Sequence, residues 1–124
     1  MREYTEKWRT GHYCCSTFTN LVNLYLEGNN ITDISPLDGL TKLLYLDLSG
    51  NNISDISTLA GLTNLNKLDF TINNLSDISA LVENNGLGES DDISLEFNEL
   101  DLTDGSNDMA NIKVLQDRGV LVSY

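Results

Sequence analysis

Long apolar runs are missing from this chain. No stretch approaches the roughly 18 consecutive apolar residues that a spanning helix requires, so membrane insertion is not expected. The first twenty residues also lack the apolar middle region of a secretory signal. Basic residues are scarce, with 7 Lys and Arg against 19 Asp and Glu and a net charge of −12. Such a surface repels polyanions, which argues against nucleic acid and anionic lipid as partners. Arg2, Lys7 and Arg9 outnumber Glu3 and Glu6 in residues 1–20, so the acidity belongs to the remainder. Aromatic residues make up 7%, and a single domain of 124 residues must therefore build its core from aliphatic side chains. The two cysteines, Cys14 and Cys15, are adjacent, and a bridge between neighbours is too strained to serve as a good structural staple. Cysteine usage thus says nothing of compartment.

What is present is a period of 22. Leu21 to Ile31 recurs as Leu43 to Ile53 and again as Leu65 to Leu75. The apolar positions hold their spacing through Leu24, Leu46 and Leu68, through Leu26, Leu48 and Phe70, and through Ile34, Ile56 and Ile78. Each unit changes rhythm, with alternation across Leu24-x-Leu26 followed by steps of three through Ile31, Ile34, Leu37 and Leu40. That pattern predicts a short strand followed by a tight 3₁₀-like return. One unit has a single apolar side, so units must stack into a solenoid with a parallel sheet on one face.

Two polar columns follow the same period. Asn29, Asn51 and Asn73, with Asn98 in a weaker fourth unit, stand where the chain leaves the strand. An asparagine amide there offers both donor and acceptor to backbone groups that lose their ladder partners. Asp33, Asp55 and Asp77 precede the Ile34 column, where an aspartate accepts from N–H groups two or three residues ahead.

The string Leu-x-x-Leu-x-Leu-x-x-Asn-x-Ile-x-Asp-Ile-x-x-Leu-x-x-Leu resembles the 22-residue leucine-rich repeats of the internalin-like bacterial surface proteins and related intracellular regulators. The resemblance implies an α/β solenoid with short strands on the concave face, 3₁₀-like convex segments and a C-terminal helix plus strand as a cap. It also implies either the cell surface or the cytoplasm, and a role in protein binding. Repeats start at residues 21, 43 and 65, with a degenerate unit at about 90–105 and a cap at about 106–124. From Asn73 to Asn98 is 25 residues, an insertion of three placed in the irregular stretch Val82 to Gly88. Ser106, Asn107 or Asp108 can cap a helix that buries Met109, Ile112 and Leu115, stopped by Gly119 and followed by a strand within Val120–Tyr124. Residues 1–17 fall outside the register and read as a divergent or truncated lead. Without a recognisable cap at that end, the Leu21–Asn29 strand is an open edge that can support self-association.

Catalysis is not expected. A Cys–His or Ser–His pair would have to use His12, the sole histidine, with no rigid frame to hold it. The acidic tract Glu89 to Asp108 fails the spacing of a calcium loop: with Gly105 at the sixth position, Leu100, Leu102 and Asn111 fall where ligands belong. No cofactor or metal is implied. Three glycosylation-type triplets, at Asn30, Asn52 and Asn74, recur because the repeat recurs.

Function is therefore expected on the outward strand residues. The candidate partner-binding set is Tyr25, Glu27, Tyr45, Asp47, Lys67, Asp69, Asp92 and Glu96, with five carboxylates against one lysine. The position before each ladder asparagine runs Gly28, Gly50, Ile72, Phe97. Because β-branched residues tolerate positive φ badly, Ile72 predicts that this position does not require it. The resulting expectation is an interaction module for a protein partner with basic groups around a hydrophobic contact. The alternative is a structural spacer or a fragment of a longer array.

Overall fold

The computed structural model describes residues 19–124. Five strands, β1 (Asn23–Tyr25), β2 (Tyr45–Asp47), β3 (Lys67–Asp69), β4 (Asp92–Ser94) and β5 (Leu121–Ser123), form one sheet in sequence order, every neighbouring pair parallel. The register is the repeat period itself: Leu24 lies beside Leu46, Leu46 beside Leu68, and Leu68 beside Ile93. Strands of three residues cannot bury one face alone, so each depends on its neighbours for both hydrogen bonds and apolar cover.

The returns are 3₁₀ turns at Ser35–Leu37 and Ser57–Gly61 in the first two units. In the third unit the equivalent segment is one turn of α-helix, α1 (Ser79–Glu83), where a 3₁₀-like return was expected. Asn84 N–H reaches Ala80 O at 3.1 Å and closes the α-type turn, and the extra residues of the unit follow it. Between sheet and returns lies a continuous aliphatic core in which the Leu24, Leu26, Ile31, Ile34, Leu37 and Leu40 columns are buried in every regular unit. Phe70 fills the place held by Leu26 and Leu48 and is completely buried.

The C-terminal end of the core is covered by α2 (Asn107–Asp117) and β5. Ser106 caps α2 by accepting from Met109 N–H at 3.1 Å. Asp108, buried, accepts from Asp101 N–H at 2.8 Å and ties the first turn to the preceding loop. Ile112 and Leu115 face the core, with Met109 packed partly against it. Gly119, at φ +92°, ends the helix, and a Cβ there would lie 3.0 Å from Glu89 Cα. Glycine is thus required both by conformation and by contact. Among the described residues no helix is long and apolar enough to cross a membrane.

Candidate partner-binding face

The asparagine column forms the seam between units. Asn51 Nδ2 donates to Leu48 O of its own unit and Leu26 O of the preceding one, both at 3.0 Å, while its Oδ1 accepts from Ile31 N–H at 3.0 Å. Asn73 repeats the pattern with Phe70 O, Leu48 O and Ile53 N–H. Asn98 repeats it with Leu95 O, Phe70 O and Leu75 N–H. Asn29 donates to Leu26 O and Glu27 O. A buried polar group left unpaired costs about 1–3 kcal/mol; each Oδ1 prevents such a loss at one N–H, and the carbonyls Leu26 O, Leu48 O and Phe70 O are each shared by two successive asparagines.

Sequence reasoning missed a second asparagine of this kind. Asn84 is fully buried, donates to Leu59 O at 2.7 Å and Leu62 O at 3.1 Å, and accepts from Gly86 N–H at 2.9 Å. It satisfies carbonyls on the convex side of the second unit. Arg118, also missed, reaches from the end of α2 to Asn84 O and Val82 O. Neither residue repeats with the period, so no column exposes them in the sequence.

On the concave side the columns run Asn23, Tyr45, Lys67, Asp92, Leu121 and Tyr25, Asp47, Asp69, Ser94, Ser123. Glu27, Ser49, Thr71 and Glu96 follow the strands, placed by bonds such as Gly28 N–H to Ser49 O and Ile72 N–H to Glu96 O. The fifth strand therefore adds Leu121 and Ser123 to a face expected to end at β4. Tyr25 and Tyr45 pack with ring centroids 4.9 Å apart. Lys67 Nζ lies 5.6 Å from the Tyr45 ring centroid, a cation–π distance. Partial desolvation, reinforced by the negative charge of Asp47, of the Tyr25 phenol oxygen when ionised, and of Asp69 and Glu27, pushes the Tyr45 phenol above its usual pKa. Among the described residues the ion pair found is Lys113–Asp117 on α2, so no carboxylate of this face is neutralised by a salt bridge within them.

Two of these carboxylates also have local work. Asp47 Oδ1 accepts from Ser49 N–H and Oγ, and Asp69 Oδ1 accepts from Thr71 N–H, turning the chain out of the strand. Asp33, Asp55 and Asp77 do the same on the convex side for Ser35, Ser57 and Ser79, and those bonds hold their carboxyls below the ordinary range. In the acidic tract, Asp101 accepts from Thr103 N–H and Oγ1. Among the described residues no group of three or more His, Cys, Asp or Glu is placed to hold a metal ion. His12, Cys14 and Cys15, with the rest of the 1–17 lead, lie outside the described residues.

The expectation for Ile72 was wrong. Ile72 has φ +59° and Phe97 φ +60°, beside +68° for Gly28 and +66° for Gly50. Left-handed backbone is thus a requirement of the repeat at this position, and a side chain there bears a strain of about 1–2 kcal/mol. At Gly28, Gly50 and Ile72 the ladder enforces it, because the N–H bonds to the next unit while the following asparagine holds the seam; at Phe97 the following Asn98 holds the seam.

The model of the leucine-rich-repeat family, described as leucine-rich repeats in two copies, matches residues 19–61 and again 41–83. The chain belongs to the leucine-rich-repeat family. This repeat protein is similar to solved structures of two Listeria monocytogenes proteins. One is an internalin, InlF, at 33% identity with TM-score 0.72, covering 88% of the chain. The other is internalin C2, at 36% identity with TM-score 0.67, also covering 88%. A Leptospira interrogans leucine-rich-repeat protein, at 21% identity with TM-score 0.69 over 85% of the chain and 26% of its own length, shares the fold. The chain spans 32% of the InlF structure and 45% of the internalin C2 structure. No curated protein matches it. Leucine-rich repeats generally mediate protein–protein interaction, using the extended surface that stacking produces.

Proposed function

We propose that this repeat protein is a binding module without catalysis, and that its concave sheet face receives a protein partner carrying basic groups. One observation carries the reading: Glu27, Asp47, Asp69, Asp92 and Glu96 share a face on which Lys67, the sole cation of the set, leans on the Tyr45 ring. Like charges on adjacent strands, about 4.8 Å apart, oppose folding slightly. A cationic partner relieves that repulsion and is steered by it.

The spacer reading has its own support, since Asp47 and Asp69 are partly explained as strand-end turns. This also decides the choice of variant. Replacing both by lysine would remove two hydrogen-bond acceptors along with the charge, whereas asparagine keeps an acceptor. Binding of a fluorescent lysine-rich peptide, followed by anisotropy, should weaken as salt rises. It should weaken again in Asp47→Asn plus Asp69→Asn, and most in Glu27→Lys plus Glu96→Lys. Affinity indifferent to salt and to both variants would move the site to the convex turns or favour the spacer.

Two smaller proposals accompany this one. The β1 edge supports self-association, because β1 is an outer strand among the described residues; a strict monomer in light scattering would remove it. Removing His12, Cys14 and Cys15 together should leave binding intact.

A further inference from the structure

Ile72 and Phe97 combine two unfavourable features. Each holds a left-handed backbone that the first two units assign to glycine, and each leaves a large apolar side chain in water, with 58% and 79% of its surface exposed. Neither feature helps the array fold. Cβ atoms at Gly28 and Gly50 would meet at most ordinary contacts, so the first units have room for side chains at this position and carry none. Strain of this sort persists where surrounding structure over-determines it, and it gathers at binding sites.

We propose that Ile72 and Phe97 form an apolar anchor for an extended partner segment in which an aromatic or aliphatic residue is flanked by lysine or arginine. The inference rests on the acidic-face reading and names the partner's chemistry. The two residues sit on adjacent units joined by the Ile72 N–H to Glu96 O bond, 2.9 Å. Carboxylates neighbour the pair along the chain: Asp69 stands three residues before Ile72, Glu96 directly precedes Phe97, and Glu99, two residues past Phe97, accepts at 3.0 Å from Asn74 Nδ2, two residues past Ile72. An apolar pad with an acidic rim selects an apolar residue between cations. It disfavours an anionic membrane, and a second copy of a chain with net charge −12 would set rim against rim. The seam asparagines that follow each residue fix the backbone, so little backbone entropy is lost when a partner docks.

Two synthetic peptides test this, Lys-Lys-Phe-Leu-Lys-Lys and Lys-Lys-Gly-Ser-Lys-Lys, by anisotropy with amide chemical-shift mapping. The first should bind about tenfold more tightly, as burial of one aromatic residue implies, and should shift the Ile72 and Phe97 resonances. Ile72→Gly plus Phe97→Gly should abolish the difference, keep the salt-sensitive binding of the second peptide, and leave the thermal midpoint unchanged or higher. The Ile72→Asn plus Phe97→Asn pair, with a residue that tolerates this backbone, should behave alike. Equal, salt-sensitive binding of both peptides by the unaltered protein would overturn the anchor and leave the acidic face standing. Binding that is indifferent to salt would overturn the acidic face, and with it the need for flanking cations.

Discussion

The first two units and the last two solve the same stacking problem with different residues. In the first two, glycine takes the left-handed position, a 3₁₀ turn makes the return, and the spacing stays at 22. In the last two, Ile72 and Phe97 take that position, an α-turn replaces the 3₁₀ turn, and the asparagine spacing widens to 25. The regular half shows what stacking alone requires. Every departure in the irregular half needs an added device: Asn84 to satisfy convex carbonyls, Arg118 to hold the insertion against α2, and a strained, water-facing apolar pair that stacking does not explain.

The largest expected effect tests the seam across both halves. Asn73→Ala leaves the buried Ile53 N–H unpaired, at about 1–3 kcal/mol, and takes one of two donors from Leu48 O and Phe70 O, which keep Asn51 and Asn98, at about 0.5–1.5 kcal/mol each; it should destabilise by about 3–5 kcal/mol. Asn98→Ala, at a half-buried copy of the seam, should cost less. Urea unfolding of both variants makes the comparison, and equal losses would show that burial does not set the value of a rung.

The insertion should tolerate no Cβ at Gly86, where it would lie 1.9 Å from Thr63 O, a backbone atom. Gly86→Ala should therefore cost about 3 kcal/mol, at the upper end of overpacking effects. Gly61→Ala in the regular half meets nothing within 4 Å and should cost far less.

Exchanging residues between the halves addresses strain directly. Gly50→Ile should destabilise by about 1–2 kcal/mol, since its φ of +66° suits no β-branched residue. Ile72→Gly should be neutral or stabilise by up to about 1 kcal/mol, because relief of strain is partly offset by the entropy glycine loses on folding. A marked loss on Ile72→Gly would show that the side chain is structural after all.

The smallest effect concerns acid. Asp33, Asp55 and Asp77 have carboxyls held below their ordinary range by bonds from Ser35, Ser57 and Ser79. A depressed folded-state pKa adds stability above the unfolded value, and that stability is lost as pH falls through the folded one. The three are exposed, so the slope is shallow. Replacing all three by asparagine should flatten the acid limb of the urea midpoint against pH, lowering the midpoint slightly near neutrality and leaving it unchanged below the folded-state pKa values.

Much of this was legible in the residues. Strand positions, the parallel register, the asparagine seam and a polar N-cap for α2 within Ser106–Asp108 all follow from periodicity and from what an amide or hydroxyl can bond; the structure selects Ser106. Asn84 and Arg118 were not legible, because each acts once, on partners 22 to 36 residues away in sequence. Ile72 was misread for a related reason. Its own propensity speaks against positive φ, and the array imposes it nonetheless.

By itself the sequence determined the period, and with it the stacking of strands, because a unit with one apolar side and a fixed length can be buried only against copies of itself. Tertiary structure alone decided the backbone at Ile72 and Phe97. There the seam asparagine that follows each residue, joined at Ile72 by the N–H bond to Glu96 O, outweighs a residue's own conformational preference, which is worth only about 1–2 kcal/mol.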